Sequence, residues 1–135
     1  MTTVKDADRI PAAELQSHIA GLWRRQRAHV AANSPFYRTL WQGRPPPEDL
    51  RDLPELPLSD KAQLRVSQAA NPPFGDYLAA PVSAANRMHR TSGTTGQAMN
   101  LALSAKDALI TQEIGGRCHV AAGLTPAHTV VHCLN

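Results

Sequence analysis

The sequence is short of cysteine, of aromatic residues and of long apolar runs, and each shortage excludes a class of protein. Two cysteines without the spacing of a disulfide framework are typical of a reducing compartment, so we expect a cytoplasmic protein. No run approaches the roughly 18 apolar residues of a membrane span, and the N-terminus carries two early aspartates instead of the apolar core of a secretory signal. We therefore expect neither a membrane segment nor secretion.

The excess of positive charge is small and lies in one short stretch. The formal net charge is +3, and Arg24, Arg25 and Arg27 stand together in WRRQR. Nucleic-acid-binding surfaces combine a basic patch with aromatic side chains on which bases stack, whereas only 4% of this sequence is aromatic. We interpret the arginines as the solvated face of a helix and expect no nucleic-acid partner.

The region 1–81 is predicted to contain helices joined by a proline-rich connector. Apolar residues recur at helical spacing and predict a helix from Ala12 to about Ala32. They are Leu15, Ile19, Leu22, Trp23 and Val30. Ser34 followed by Pro35 is typical of an N-cap and a first helical position, so a second, short helix should run to about Trp41.

Residues 43–60 cannot form a long regular element, because their prolines remove backbone donors and fix φ. We expect an ordered connector whose leucines pack onto a neighbouring surface. These leucines are Leu50, Leu53, Leu56 and Leu58. Ser59 and Asp60 offer an N-cap for another short helix, which should run to about Ser67 and cannot continue through Asn71-Pro72-Pro73.

The region 82–135 is predicted to begin with two strands. Residues 87–91 and 98–103 have strand character and are joined by a short glycine-containing loop, which predicts a hairpin. Ser104 and Asp107 have the spacing of a capping box and predict a helix from Ala105 to about Ala122. Its expected buried positions are Ile110, Ile114, Cys118 and Ala121.

A β-rich run, residues 128–135, predicts a last strand after this helix. The fold class is therefore α/β, with a helical N-terminal third followed by a strand–loop–strand–helix–strand unit. A final strand with no following element is typical of the opening of a larger sheet. We expect an incomplete chain that associates with itself as a homodimer or with a completing chain.

Histidine and cysteine residues near the C-terminus supply enough ligand atoms for zinc, but their spacing does not favour it. The residues are Cys118, His119, His128, His132 and Cys133. No C-x2-C pair supports a zinc site, so we expect no metal and interpret both cysteines as small buried residues. His89 is expected to be a strand residue that orients the loop after it.

The glycine-rich stretch RTSGTTGQ, residues 90–97, is the strongest candidate for a functional site. Glycine backbone N–H groups and serine and threonine hydroxyls are the donors that a phosphate needs. A polar hairpin turn has the same composition and is the alternative. No lysine follows as in a Walker motif, and Ser92 does not lie in a G-x-S-x-G elbow, which disfavours a serine hydrolase.

The order of the residues in Thr91–Gly96 resembles the phosphate loop of the adenylate-forming ligases. Three stretches in sequence order, NSPFYRTLW (33–41), LPLSDKAQLR (56–65) and MHRTSGTTG (88–96), resemble the N-terminal portion of the phenylacetate–CoA ligase family. The resemblance runs from about Leu22 to Asn135. It implies the beginning of the large domain of an adenylate-forming ligase.

The resemblance implies a ligase that uses ATP, Mg²⁺ and coenzyme A to activate an aryl or other small carboxylic acid. It assigns the phosphates to the loop residues Thr91, Ser92, Gly93, Thr94, Thr95 and Gly96. The catalytic residues stay unknown, since the family's remaining motifs lie beyond this chain. The family usually has lysine where Gln97 stands, so a non-catalytic remnant or interaction module, or a free-standing phosphate-binding domain, are the alternatives.

Overall fold

The computed structural model describes residues 10–91 and 98–131. Helices and strands follow one another in the described chain as helix, helix, helix, strand, strand, helix. Their bounds are α1 Ala12–Asn33, α2 Pro35–Leu40, α3 Lys61–Ala70, β1 Arg87–Arg90, β2 Asn100–Leu103 and α4 Ala105–Ala121. Two short 3-10 helices, Leu50–Glu55 and Val82–Ala84, lie in the connecting segments. Among the described residues, no helix is both long and apolar enough to cross a membrane.

The break between α1 and α2 occurs at Ser34, as predicted. Ser34 has an extended backbone, and its side chain accepts a hydrogen bond from the backbone N–H of Tyr37, 3.4 Å away. Pro35 takes the first helical position, where a backbone N–H would have no partner within the helix, so its absence costs no hydrogen bond. Ser34 is completely buried, so this N-cap lies inside the molecule and not on its surface.

The proline-rich connector is ordered and is bonded to α1. The indole Nε1 of Trp23 donates to the carbonyl oxygen of Pro47 at 3.0 Å. Arg27 donates to the carbonyl of Pro46 at 2.6 Å and to the carboxylate of Glu48 at 2.8 Å. These bonds give the connector a fixed course along the helix.

The leucines of the connector fulfil their prediction in part. Leu50, Leu53 and Leu56 are half-buried, whereas Leu58 is exposed. Leu58 lies in an extended stretch between the 3-10 helix and α3, and no described element covers it. The predicted burial of Leu58 is therefore wrong.

Helix α3 begins as predicted and is longer than predicted. The Asp60 side chain accepts from the Gln63 backbone N–H at 2.7 Å, and the Gln63 side chain accepts from the Asp60 N–H at 2.9 Å. This capping box satisfies two donors that the first helical turn leaves free. The helix ends at Ala70 and not near Ser67, because only Pro72 stops the chain from continuing.

The two predicted strands pair as an antiparallel hairpin, although each is shorter than predicted. Arg87 pairs with Leu103, and Arg90 pairs with Asn100. Helix α4 follows at once and begins at the predicted capping box, in which Asp107 accepts from the Ser104 N–H at 3.0 Å. Residues 128–131 form no strand, and 132–135 lie outside the described residues. The predicted last strand is therefore wrong for the part that the structure describes.

The expected burial of α4 is also wrong. Ala108 is its buried residue, while Ile110 is half-buried and Ile114, Cys118 and Ala121 are exposed. A helix buries an apolar face only where another element covers it, and within residues 10–91 and 98–131 the element that packs on α4 is β2. Cys133 lies outside the described residues.

Few of the described residues are buried, and most of these lie where the N-terminal helices meet the hairpin. The apolar ones there are Phe74, Met99 and Ala108, and the polar ones are Ser34 and Ser67; Pro46 is buried as well, in the connector that is bonded to α1. Hydrogen bonds between α3 and the start of β2 cross residue 81, so the two regions pack against each other. The division into 1–81 and 82–135 stays a prediction about folding units.

Candidate functional site

The predicted phosphate loop divides between described and undescribed residues. Thr91 is described, whereas Ser92, Gly93, Thr94, Thr95, Gly96 and also Gln97 lie outside the described residues. The structure therefore defines the site through the two chain ends that carry the loop. They are Thr91, directly after β1, and residues 98–100, which lead into β2.

Thr91 joins the two ends of the loop. Its backbone N–H donates to the carbonyl of Met99 at 2.9 Å. Its hydroxyl oxygen accepts from the backbone N–H of Met99 at 3.0 Å. Met99 is only 5% exposed, so this paired contact is anchored in the small core. The Thr91 side chain thus has a structural bond at the base of the loop and still has a hydroxyl proton to donate.

Gln68, on α3, binds the second end of the loop. Its side-chain oxygen accepts from the Asn100 N–H at 2.7 Å. Its side-chain nitrogen donates to the Ala98 carbonyl at 3.4 Å. One amide therefore meets two backbone groups, and it connects a helix of the N-terminal region with the strand that follows the loop.

Tyr77 completes this arrangement from the segment after α3. Its hydroxyl oxygen lies 2.9 Å from the Asn100 carbonyl and 3.1 Å from the side-chain oxygen of Gln68. A phenol has one proton, so it donates to one of these acceptors at a time. Partial burial raises the pKa of Tyr77 above its ordinary value of 10.0, which keeps the donor protonated at neutral pH. We call Gln68 and Tyr77 the clamp.

The side chain of Asn100 belongs to the same arrangement. Its Nδ2 donates to the Pro73 carbonyl at 2.9 Å. Its Oδ1 is buried and has no hydrogen-bond partner among the described residues. Asn100 therefore connects β2 with the turn after α3 through its side chain as well as through its backbone.

The NSPFY stretch at residues 33–37 reaches the clamp through Asp76. The Ser34 hydroxyl lies 3.4 Å from the carbonyl oxygens of both Asp76 and Tyr77, and the Phe36 N–H donates to the Asp76 carbonyl at 3.1 Å. The Ser67 hydroxyl donates to the Asp76 carboxylate and accepts from the Asp76 N–H. Two stretches that are distant in sequence therefore hold the backbone at 76–77 in one place.

Gly75 permits this close packing. Its φ is +77°, and a Cβ atom there would lie 2.5 Å from Cε1 of Tyr77 and 2.8 Å from Oγ of Ser67. Both the backbone conformation and the space favour glycine. We call the connected set the junction; its members are Ser34, Ser67, Gln68, residues 75–77 and Asn100.

Sequence reasoning missed Gln68, Tyr77 and Asn100. The contacts between them span 9 to 32 residues, and no local pattern in one sequence signals such a separation. The stretch Asn71-Pro72-Pro73 indicates by itself only a helix stop. The glycine at 75 after a proline-rich turn was the available signal for a tightly packed segment.

The histidines that the structure describes form no common site. His89 lies in β1 opposite Leu101 and is exposed, and His128 bonds to the N–H of Thr125 at 3.1 Å. Within residues 10–91 and 98–131, no group of three or more histidine, cysteine, aspartate or glutamate residues is placed to hold a metal ion. His132 and Cys133 lie outside those ranges, and the orienting role of His89 stays a prediction.

Comparison with known proteins supplies the family. No protein-family model matches the chain. Phenylacetate-coenzyme A ligase from Thermus thermophilus is 31% identical over 125 residues, which cover 90% of this chain and 27% of that protein. The predicted resemblance to the phenylacetate–CoA ligase family is therefore confirmed. The chain matches the N-terminal portion of that family and spans less than a third of the relative's length.

Solved structures of 2-hydroxyisobutyryl-CoA ligase agree with this family assignment. One, in complex with 2-HIB-AMP and CoA in the thioesterification state, superposes with a TM-score of 0.76 at 29% identity over 93% of this chain and 29% of that chain. An open conformation with the same ligands gives 0.75 at 29% identity, over 90% and 29%. The mixed helix–strand architecture of this chain is therefore that of part of an adenylate-forming ligase.

Proposed function

We propose that this chain is the N-terminal part of an ATP-dependent acid–CoA ligase of the phenylacetate–CoA ligase family. The observation that carries the proposal is the Thr91–Gly96 sequence placed on two chain ends that the structure holds together. The paired bonds between Thr91 and Met99 hold those two chain ends together. Relatives that are CoA ligases, and structures with an acyl-adenylate and CoA bound, support the reaction class.

The proposed reaction has two steps. A carboxylate oxygen of the acid attacks the α-phosphorus of ATP, the bond between the α- and β-phosphates breaks, and pyrophosphate leaves with the electron pair. The thiolate of coenzyme A then attacks the acyl carbonyl carbon, and AMP leaves. In the first step, Thr91–Gly96 would hold the β- and γ-phosphates through backbone N–H groups and hydroxyls, which is a task of positioning and electrostatic stabilisation.

Mg²⁺ is assigned to ATP and not to this chain. The described residues offer no carboxylate cluster for a cation. Magnesium in nucleotide sites is held largely by phosphate oxygens and water, so no described residue of this chain is proposed as a ligand of Mg²⁺. The substrate is proposed to be an aryl or other small carboxylic acid, and the compartment is proposed to be the cytoplasm on the basis of the cysteine content.

A second candidate is a non-catalytic member that binds phosphate without completing the reaction. Gln97 favours it, because a neutral amide stands where the family usually carries lysine. A neutral side chain donates hydrogen bonds but does not neutralise a polyphosphate. Both candidates require the loop to bind phosphate, and they differ in whether a longer form of the protein adenylates an acid.

The experiment that tests phosphate binding is an NMR titration of the isotopically labelled 135-residue chain with tripolyphosphate. We expect saturable shifts that are largest for the amides of residues 91–98. The double variant Thr94→Ala, Thr95→Ala should weaken binding by at least about tenfold, because each lost hydroxyl removes a hydrogen bond to a charged group. A pair of exposed hydroxyls elsewhere, changed as Thr111→Ala and Thr125→Ala, is the matched control. Shifts that are instead spread over the arginines of α1 would indicate binding by general charge, and the loop would then be interpreted as an ordinary turn.

A further inference from the structure

We propose that Gln68 and Tyr77 are positioning residues, which hold the chain end from which the proposed phosphate-binding loop leads into β2 by completing the edge of β2 that faces away from β1. This inference rests on the proposed phosphate-binding function. Neither residue belongs to the loop, and neither was identifiable from the sequence. Their role is to hold the strand end that carries the loop, and they have no contact with phosphate in this proposal.

The hairpin of β1 and β2 needs external support. Strands β1 and β2 have four residues each, and among the described residues they pair only with each other. Two-stranded hairpins of this size are marginally stable in water. All four residues of β1 are exposed, so the support for the hairpin must come from the side of β2.

The backbone groups of residues 98–100 point to two different edges of the hairpin. In a strand, the N–H and C=O groups of successive residues point alternately to the two edges. Met99 directs both of its groups to Thr91 on the β1 side. The Ala98 carbonyl and both backbone groups of Asn100 therefore point to the opposite edge, where no described strand is present.

The clamp provides a hydrogen-bond partner for each of these three backbone groups. Gln68 accepts from the Asn100 N–H and donates to the Ala98 carbonyl, and the Tyr77 hydroxyl lies within 2.9 Å of the Asn100 carbonyl. The two side chains do the work of a neighbouring strand on that edge. Because the groups belong to the residues directly after the loop, the clamp fixes the register at which the loop ends.

The clamp is itself held in place by the neighbouring residues of the junction and by Phe36. Tyr77 follows Asp76, whose backbone and carboxylate are bonded to Ser34, Phe36 and Ser67. Phe36 also meets the Tyr77 ring edge to face, with ring centres 6.4 Å apart. The residues directly after the loop are thus connected with the NSPFY stretch through the Tyr77 hydroxyl and the Gln68 side-chain amide.

The test compares Gln68→Ala and Tyr77→Phe with Gln63→Ala in the 135-residue chain. Gln63 lies on the same helix, and its side chain closes the α3 capping box at 2.9 Å. Loss of Gln63 therefore removes a comparable hydrogen bond from α3 without touching β2. Tyr77→Phe keeps the ring contact and removes only the hydroxyl.

Two measurements are made on each variant. The first is the Kd for tripolyphosphate at fixed ionic strength, with the melting temperature recorded beside it. We expect about a tenfold loss for Gln68→Ala, about threefold for Tyr77→Phe and less than about twofold for Gln63→Ala. The second is hydrogen exchange at the Thr91 and Met99 amides, whose bonds do not include either clamp residue. Exchange there should rise in the clamp variants and not in Gln63→Ala.

The outcomes separate the clamp from the proposed function. If Gln68→Ala and Gln63→Ala lower affinity equally, in step with their melting temperatures, Gln68 is merely structural and the inference is overturned. Unchanged exchange at Thr91 and Met99 overturns it as well. If wild-type chain binds no tripolyphosphate while exchange responds as expected, the proposed function fails and the clamp stands as a device that holds the strand ends. Gln68→Glu keeps the acceptor for the Asn100 N–H but loses the donor to the Ala98 carbonyl, so its exchange rates should lie between those of wild type and Gln68→Ala.

Discussion

The junction and helix α4 adjoin the same hairpin, yet they are built in opposite ways. The junction buries polar groups and bonds them across long sequence separations, as Ser34 and Ser67 show. Helix α4 has local hydrogen bonds and leaves large apolar side chains in water. The exposed fractions are 67% for Leu109, 49% for Ile114 and 70% for Val120.

This difference separates what local sequence can build from what needs more protein. Helix α4 begins at its capping box whether or not its apolar face is covered, because a cap uses only neighbouring residues. Covering that face requires another element, and β2, the main described element that packs on α4, leaves Leu109, Ile114 and Val120 exposed. The junction, in contrast, has its partners within residues 34–100. It should therefore hold the loop base in this chain.

The largest expected effect is on chemistry. We expect the 135-residue chain to form no acyl-adenylate, because adenylation needs the carboxylate in line with the α-phosphorus and shielded from water, and the junction offers neither an acid pocket nor such a shield. The measurement is incorporation of labelled pyrophosphate into ATP with a panel of aryl and 2-hydroxy acids, with the Thermus ligase as positive control. Acid-dependent label in ATP would show that the junction region contains a complete site.

Next in size is a pair of glycine substitutions that sets the junction against α4. Gly75→Ala should lower the free energy of unfolding by about 2–4 kcal/mol, because the new Cβ meets Tyr77 and Ser67 at a positive φ. Gly116→Ala, in α4, meets nothing within 4 Å and should raise stability by about 0.5–1 kcal/mol through helix propensity. Urea unfolding followed by circular dichroism measures both. Equal effects of the two substitutions would remove the contrast between the regions.

A smaller effect concerns pH and the cap of α4. Hydrogen bonds from the Ser104 side chain and backbone hold the pKa of Asp107 below its ordinary value of 3.8. The folded pKa is the lower one, so the carboxylate stabilises the fold above pH 3.8 and this contribution is lost as the pH falls through the folded pKa.

The variant Asp107→Asn should therefore be less stable than wild type at neutral pH by about 0.5 kcal/mol, a low value because the group is largely exposed. The difference should shrink as the pH is lowered towards about 2. Unfolding curves at a series of pH values give the comparison, and Glu113→Gln, in the same helix outside the cap, is the control. A difference that grows in acid would contradict the lowered pKa.

The smallest expected effect concerns the charge beside the loop, which the junction does not supply. Gln97→Lys should tighten tripolyphosphate binding about threefold at low salt, and less at physiological salt, because exposed charges are screened. Gln16→Lys, on the exposed surface of α1, adds the same charge away from the loop and should change the Kd far less. Calorimetric titration at two ionic strengths distinguishes them, and equal gains would indicate a general charge effect.

Local features of the fold could be predicted from the sequence, and the reason is their short range. The caps at Ser34, Asp60 and Ser104 depend on residues three positions apart or fewer. The pairing of β1 with β2 follows from two strand-like runs around a glycine-rich loop. The family followed from the order of three short stretches, none of which required knowledge of contacts.

Features that depend on distant residues could not be predicted. Gln68 meets Asn100 across 32 residues, and its sequence neighbours give no sign of that contact. The expected burial of Ile114 and Cys118 assumed a covering element that residues 10–91 and 98–131 do not provide. A last strand at 128–131 would similarly need a neighbouring strand to accept its backbone bonds. Long-range geometry decides each of these cases.

The aromatic residues give an optical label to the N-terminal region of the chain and not to the C-terminal region. All six lie between Trp23 and Tyr77, and none follows in the sequence. Trp23 bonds to the connector at Pro47, and Trp41 stacks near Tyr37 with ring centres 5.1 Å apart. Intrinsic fluorescence and near-ultraviolet dichroism will therefore follow the N-terminal region, whereas amide signals follow the whole backbone. A single tryptophan placed at Val120 would give α4 its own emission, so that the melting of each half is read in one sample.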